Sequence, residues 1–326
     1  MMEVITGSRL HFGLLHVPGK KEAEPHGSAA KVRFFGGAGL MIAEPCLRLE
    51  AHRAESWSAE GPCADQIMTF AQACRRKIGE DACPPLAFRC KTAPPRHAGF
   101  GSGTQLGLAV AKLIAEMSGR TDCSVKELAR RVGRGERSAI GTHGFAEGGF
   151  LVEAGKHAKI ELSTLVGRYP FPEDWRIVVV LPSASKTIHG VEEGRLFRDL
   201  EDDRTALRSA EVLCRLLFLG VIPALIERDY EAFGNALYEF NRKAGERFAK
   251  VQGGAFASEQ VAELVETLRC EHCPAVGQSS WGPAVYAICR NEEEAGRMAI
   301  RARLFCQTAA IIATRALNFG AVAGER

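Results

Sequence analysis

The chain has 326 residues, 46% hydrophobic and 25% charged, with 42 basic against 39 acidic side chains and a net charge of +3. That balance gives no electrostatic case for nucleic acid as the main partner. No apolar run approaches the ~20 residues of a membrane span, and the opening MMEVITGSRLHFGLL lacks the regions of a signal peptide. The length suits two domains of ~100–200 residues. Eleven cysteines, an odd number scattered through strand-like and helical runs, fit reduced thiols in a cytoplasm.

In chain order, VITGSRLHFGLLHV reads as a strand pair or strand-turn carrying Arg9 and His11. Pro18 to Lys31 is polar and turn-rich, which predicts a mobile surface loop. VRFFGGAGLMI returns to strand composition with a Gly-Gly kink or bulge. Residues 65–77 predict an amphipathic helix and LAFRCKTA a strand. After a glycine-rich loop, Leu106, Val110, Leu113 and Met117 recur at helical spacing and predict one apolar face. SVKELARRVG predicts another helix, and RGERSAIGTHGFAEGGFLVEAGK a glycine-rich turn followed by a strand. Proline and aromatics around GRYPFPEDW place a boundary near Arg168, dividing the chain into 1–167 and 168–326. Beyond it RIVVVLP and AAIIATRAL read as strands, AVGQSSWGPAVYAICR as a loop into a strand, and the intervening polar-apolar runs as helices. The elements lack a strict β-α repeat, so the class is α+β.

The segment PPRHAGFGSGTQLGLAVA carries the main chemical signal. Gly99, Gly101 and Gly103 immediately before a helix allow close approach of an anion to free N–H groups at the positive end of the helix dipole. Ser102, Thr104 and Gln105 add donors or metal-facing oxygens. The Gly-Lys-Ser/Thr ending of a Walker loop is absent, and so is the dinucleotide fingerprint, since Leu106 stands where its last glycine would be.

This segment resembles the phosphate-binding motif of the GHMP kinase superfamily. SRLHFGLL and AVGQSSWGPAVYAI sit where that superfamily has its first and third motifs. The resemblance implies an N-terminal domain like ribosomal protein S5 domain 2, a ferredoxin-like C-terminal domain and an active site between them. The kinase aspartate after a Ser-Gly pair has no counterpart in SAIGTHGF, and the third glycine run becomes Gly277-Gln278-Ser279-Ser280-Trp281-Gly282-Pro283. His143 is left as a structural residue, a phosphate contact or a substitute base. With these departures, SRLHFGLL, FFGGAGLMI, HAGFGSGTQ, RSAIGTHGFAEGGF and GQSSWGPAVYA together resemble a non-kinase branch, the β-ribofuranosylaminobenzene 5′-phosphate synthases of methanopterin biosynthesis.

That resemblance implies a decarboxylating transfer of phosphoribosyl pyrophosphate to 4-aminobenzoate or 4-hydroxybenzoate, with Mg²⁺, in a homodimer. The phosphate contacts expected are Gly99, Gly101, Ser102, Gly103, Thr104, Gln105, Ser138 and Gly141, with Ser102 and Thr104 also facing the metal. Arg9, His11, Gln278 and Ser280 are the catalytic candidates, and alternation puts Arg9 and His11 on one strand face. Trp281 and Ser279 are expected at the aromatic ring. An ATP-dependent small-molecule kinase and a non-catalytic nucleotide-binding protein are the alternatives. Lys186, His189, Glu192 and Glu193 are either substrate or metal contacts or solvated residues. Cys270 and Cys273 resemble half a zinc site without a second pair. Arg130, Arg131, Arg134 and Arg137 read as a solvated helix end, with Arg137 able to reach a phosphate.

Overall fold

The computed structural model describes residues 1–17, 33–79, 82–157, 159–183, 204–269 and 273–325. Its first sheet is organised on β1 (Met2–Leu14), one continuous strand rather than a strand-turn. β1 pairs antiparallel along β2 (Gly37–Arg53), with register shifts at Thr6/Ser8 and His11/Gly13. β3 (Ser58–Glu60), α1 (Ala64–Ile78) and β4 (Leu86–Thr92) follow, and β4 pairs with the second half of β2. Next come α2 (Ser102–Met117), α3 (Val125–Arg131) and α4 (Ile140–Glu147). β5 (Phe150–Glu153) then pairs with the first half of β2, and β6 (Leu165–Tyr169) with β5.

Two helices differ from expectation. The residues of α2 from Gln105 to Ala115 are buried on every side except at Lys112, because LGLAVA-LIA is apolar all round and the sheet, α1, α3 and α4 enclose it. SAIGTHGF is a helix rather than a turn. Gly144 lets α4 approach β2, where a Cβ would lie 2.4 Å from Met41 Sδ.

The second sheet holds β7 (Arg176–Leu181), β8 (Ala275–Gln278), β9 (Val285–Cys289) and β10 (Ala310–Arg315). Its antiparallel order β10-β7-β9-β8 is the ferredoxin-like arrangement. Between β7 and β8 run α5 (Arg204–Leu216), a π-helical turn (Leu217–Val221), α6 (Ile222–Glu227), α7 (Tyr230–Glu246), α8 (Ala249–Gln252) and α9 (Glu259–Arg269). α10 (Glu292–Phe305) joins β9 to β10, capped by Asn291 with three glutamates in its first turn.

After Arg176, β7 is apolar throughout because both of its faces are covered. Ile177 and Val179 join Leu10, Phe12, Phe150, Phe233 and Tyr286 in a core continuous across both sheets. Val178 and Val180 face Val261, Leu264 and Met298 of α9 and α10. Arg168 falls inside β6, which belongs to the first sheet, and β11 (Val322–Glu325) returns from the second half of the chain to pair with β1. Against expectation, one run among the described residues, Arg208–Glu227, is long and apolar enough to cross a membrane by length and composition. Here its Leu213, Leu217, Val221 and Leu225 lie in the core while Phe218, Leu219 and Ile226 are exposed.

Candidate active site

Beyond Ile5, the edge of β1 not occupied by β2 meets loops from both halves of the chain. Arg9 N–H donates to the Phe100 carbonyl (2.9 Å), and the His11 carbonyl accepts from Ser280 N–H (2.9 Å). His11 N–H donates to Ser279 Oγ (3.0 Å), whose hydroxyl donates on to the Gly99 carbonyl (2.7 Å). Ser279 is completely buried. It therefore pins β1, the glycine loop and the β8–β9 loop to one another. Asn241 of α7 adds a second tie, donating to the carbonyls of Phe12 (2.6 Å) and Gln278 (2.9 Å) and accepting from Gln278 N–H (2.9 Å).

Two adjoining compartments lie around this junction. The outer, of about 330 Å³, is floored by the Gly99–Thr104 loop and ringed by Arg9, Arg96, Arg134 and Arg137. Gly99 and Gly101 sit at φ +92° and +66°, which a glycine reaches without strain. Gly101 heads α2 without a capping side chain and no acid occupies the first turn, so the helix end stays electropositive. Arg134 lies over the Phe70 ring (4.9 Å) and next to Gly103, where a Cβ would come 3.3 Å from its Nη2. Burial lowers the Arg134 pKa, and Arg137 nearby adds to the effect.

The inner compartment, of about 230 Å³, is bounded by Arg9, His11, Ser138, Asn241, Phe248 and Trp281 among others. The Trp281 and Phe248 rings pack at 4.5 Å and give it an aromatic wall. Arg9, Thr104, Arg134, Arg137, Ser280 and Trp281 line both compartments.

Behind His11 runs a buried polar chain. His11 Nε2 is 3.1 Å from Ser138 Oγ. That hydroxyl donates to Glu153 Oε1 (2.6 Å) and accepts from Ile140 N–H (3.3 Å), while Glu153 Oε2 accepts from Ala139 N–H (2.8 Å). With its own proton on Glu153, the Ser138 oxygen is an acceptor for His11, so His11 carries its proton on Nε2. Burial, reinforced by the charge of Arg9, pushes the His11 pKa well down and keeps the ring neutral. Glu153 is fully buried. Burial pushes its carboxyl up to about 7, against the opposing pull of the Ser138 and Ala139 hydrogen bonds and of Arg9.

A carboxyl whose folded pKa lies above its unfolded value stabilises the fold fully below the ordinary carboxylate range and loses that contribution as pH rises through about 7. Wild type should therefore lose roughly 3 kcal/mol relative to Glu153→Gln between about pH 4 and pH 8. Denaturant titrations at the two pH values measure this, and a difference independent of pH would contradict it.

The chain is similar to several known proteins. The GHMP kinases N terminal domain model matches residues 65–149 and the GHMP kinases C terminal model matches 221–304. The β-ribofuranosylphenol 5′-phosphate synthase of Methanothermobacter thermautotrophicus is 31% identical over 339 residues, 97% of this chain and 96% of that one. The chain belongs to the β-ribofuranosylphenol 5′-phosphate synthase family. A second such synthase, from Archaeoglobus fulgidus, is 30% identical over 88% of each chain. Among solved structures, mevalonate pyrophosphate decarboxylase of Streptococcus pyogenes superposes with a TM-score of 0.69 at 14% identity, covering 98% of each chain. Homoserine kinase of Cytophaga hutchinsonii gives 0.68 at 13% identity over 99% of this chain and 97% of that one. These two share the fold.

In this member of the synthase family, a pentosyltransferase-type family, Arg9, His11, Gly99, Gly101, Ser102, Gly103, Thr104, Ser280 and Trp281 converge on the cleft. Other expected residues have different duties. Gln105 is completely buried. It accepts from the Thr6 hydroxyl and donates to the Gly141 carbonyl (2.8 Å each), so neither it nor Gly141 faces a phosphate. Ser138 lines the inner compartment, but its donor and acceptor positions are taken by Glu153, Ile140 and His11. Ser279 is the clamp rather than a ring contact. The Gln278 amide accepts from Ala257 N–H (2.7 Å) and donates to the Ser280 carbonyl (2.9 Å), so it shapes the loop.

His143 bonds the Ser163 carbonyl (2.8 Å), and Cys273 Sγ the Ile288 carbonyl (3.1 Å). Lys186, His189, Glu192, Glu193 and Cys270 lie outside the described residues, as does the whole Pro18 to Lys31 segment.

Of the basic run, Arg130 is exposed and Arg131 is buried against Glu127, whereas Arg134 and Arg137 turn into the cleft. Arg134 stands between Gly133 and Gly135, both at positive φ, so the helix has already ended there. Glycines flanking an arginine were the available signal. Arg96 and Glu153 were also missed; a lone acid in the apolar strand FLVE was the clue to Glu153.

Proposed function

We propose that the protein joins phosphoribosyl pyrophosphate to 4-hydroxybenzoate or 4-aminobenzoate, releasing pyrophosphate and carbon dioxide, in tetrahydromethanopterin biosynthesis. The observation that carries this reading is the pairing of compartments. Four arginines and an uncapped helix N-terminus surround the glycine loop, and an aromatic-walled chamber adjoins it. Among the described lining residues of both compartments the single carboxylate is Glu136, which is exposed. Such a site suits a leaving group of several negative charges beside a flat ring.

The arginines and the α2 N–H groups hold the departing pyrophosphate and stabilise charge as the anomeric C–O bond breaks. Trp281 and Phe248 orient the ring and keep water from the electron-poor sugar. The ring carbon bearing the carboxylate then bonds the sugar, and loss of carbon dioxide restores aromaticity. Ser102 and Thr104 offer hard oxygen donors at the loop, which suit Mg²⁺ carried mainly by substrate phosphate oxygens. Mg²⁺ would supply further neutralisation of the leaving group. The relatives are named for a ribofuranosylphenol, which favours 4-hydroxybenzoate.

The test is to supply phosphoribosyl pyrophosphate, Mg²⁺ and each arene labelled at its carboxylate, and to measure both products. Equal release of carbon dioxide and pyrophosphate is expected. Release of neither, with ATP consumed across a small-alcohol panel, would assign a kinase instead. Arg134→Ala should raise KM for phosphoribosyl pyrophosphate by about 10–100-fold, the value of one charge-assisted contact. An unchanged KM would locate the pyrophosphate away from the glycine loop.

A further inference from the structure

A phenolic ring needs one thing that an aniline does not. When the ring carbon para to the hydroxyl attacks the sugar, positive charge develops on the hydroxyl oxygen, and a neutral dienone forms only if the O–H proton leaves. A para amino group keeps both protons as an iminium. Resting on the functional reading above, we infer that His11, Ser138 and Glu153 form a proton path that serves a phenolic substrate. His11 touches the hydroxyl, and Ser138 and Glu153 act as positioning residues behind it.

Three elements converge to build the path. His11 comes from β1 and lines the inner compartment, Ser138 precedes α4, and Glu153 ends β5. The Nε2–Oγ and Oγ–Oε1 separations of 3.1 and 2.6 Å are both hydrogen bonds. Ile140 N–H and Ala139 N–H fix the hydroxyl and the carboxylate from the start of α4. The charged groups acting on Glu153 are Arg9, from the strand that carries His11, and Lys156 beyond β5. Lys156 Nζ itself bonds the carbonyls of Gly135 (3.2 Å) and Glu161 (3.3 Å). Glu153 is thus buried at the end of a chain that starts in the cavity. Burying a carboxylate there is costly, even with the Ala139 N–H and the Ser138 hydroxyl bonded to it.

The transfer balances. The substrate O–H proton goes to His11 Nδ1, the Nε2 proton to Ser138 Oγ, and the Ser138 proton to Glu153. The O–H electron pair becomes the second bond of the dienone carbonyl as the ring carbon bonds the anomeric carbon. The anomeric C–O pair leaves with pyrophosphate. When carbon dioxide departs, the freed pair restores the aromatic ring and the oxygen takes its proton back along the same path. Glu153 must be unprotonated to receive the proton, and its carboxyl is pushed up to about 7. Turnover of the phenol therefore falls as pH drops through about 7, and turnover of the aniline lacks that inflection.

The deciding experiment measures kcat and KM for 4-hydroxybenzoate and 4-aminobenzoate with wild type, Glu153→Gln and Ser138→Ala, across pH 5 to 9. Both variants should lose kcat on the phenol by roughly 100-fold, the value of positioned proton transfer, with KM little changed. The loss on the aniline should stay below about tenfold. Equal losses on the two arenes, or none, would overturn the path.

An NMR experiment on ¹⁵N-histidine protein, assigned with His11→Gln, needs no turnover. His11 should be neutral with its proton on Nε2, and Ser138→Ala should shift that tautomer. A charged His11, or a proton on Nδ1, refutes the path directly. If wild type consumes neither arene, the functional reading fails, and the tautomer alone decides whether the path exists.

Discussion

Gly99→Ala should lower kcat/KM for phosphoribosyl pyrophosphate by roughly 100-fold or more, the scale of a misplacement of about 1 Å near the reacting atoms. The Cβ would sit 2.5 Å from the Ser279 carbonyl oxygen. Both sides of that contact are backbone, and the Ser279 hydroxyl already holds the Gly99 carbonyl, so no side-chain rotation can relieve it. The loop must move off the β8–β9 loop and carry the α2 N-terminus away from the position proposed for the pyrophosphate. Gly119→Ala is the control. Gly119 has φ +71° but nothing within 4 Å of a Cβ, so the substitution should cost about 1 kcal/mol of strain and leave turnover intact. Equal kinetic effects from the two alanines would mean that conformational strain, not the collision, disables the loop.

Ser279→Ala should have the largest effect on stability. It leaves His11 N–H and the Gly99 carbonyl without their partner in a water-poor junction. Two such losses amount to roughly 2–4 kcal/mol, or roughly 3–6 °C in the thermal midpoint for a chain of this size. Scanning calorimetry measures the shift. A change below about 1 °C would mean that water replaces the hydroxyl. The double variant with Gly99→Ala should cost less than the sum of the two, since one contact is broken twice.

Much of the architecture could be read from apolar spacing and glycine placement. LGLAVAKLIAEM declared its helix, RIVVVLP its buried strand, and GFGSGTQ the loop that leads into α2. Long-range satisfaction was harder to read. Gln105 and Ser279 look like ligand donors in a one-dimensional motif, and only folding reveals that Thr6, Gly141, Gly99 and His11 claim them. Arg134 and Glu153 were obscured for the opposite reason. A charge in a loop or at a strand end looks solvated until other elements close over it. SAIGTHGF misled through composition, because its glycines serve close packing within a helix.

The pairing of Met2 through Ile5 with Val322 through Glu325 bears on the order of events during synthesis. The ribosome produces β1 well before β11, so the outer edge of β1 waits for its partner while the intervening polypeptide emerges. At ~5–20 residues per second that interval is tens of seconds. Throughout it a largely apolar strand offers unpaired N–H and C=O groups to any passing extended chain. Completion of the first sheet therefore waits until every other strand of both sheets has been made. Termination between Arg315 and Val322 should yield a protein that keeps the glycine loop and the β8–β9 loop but whose open edge recruits other copies.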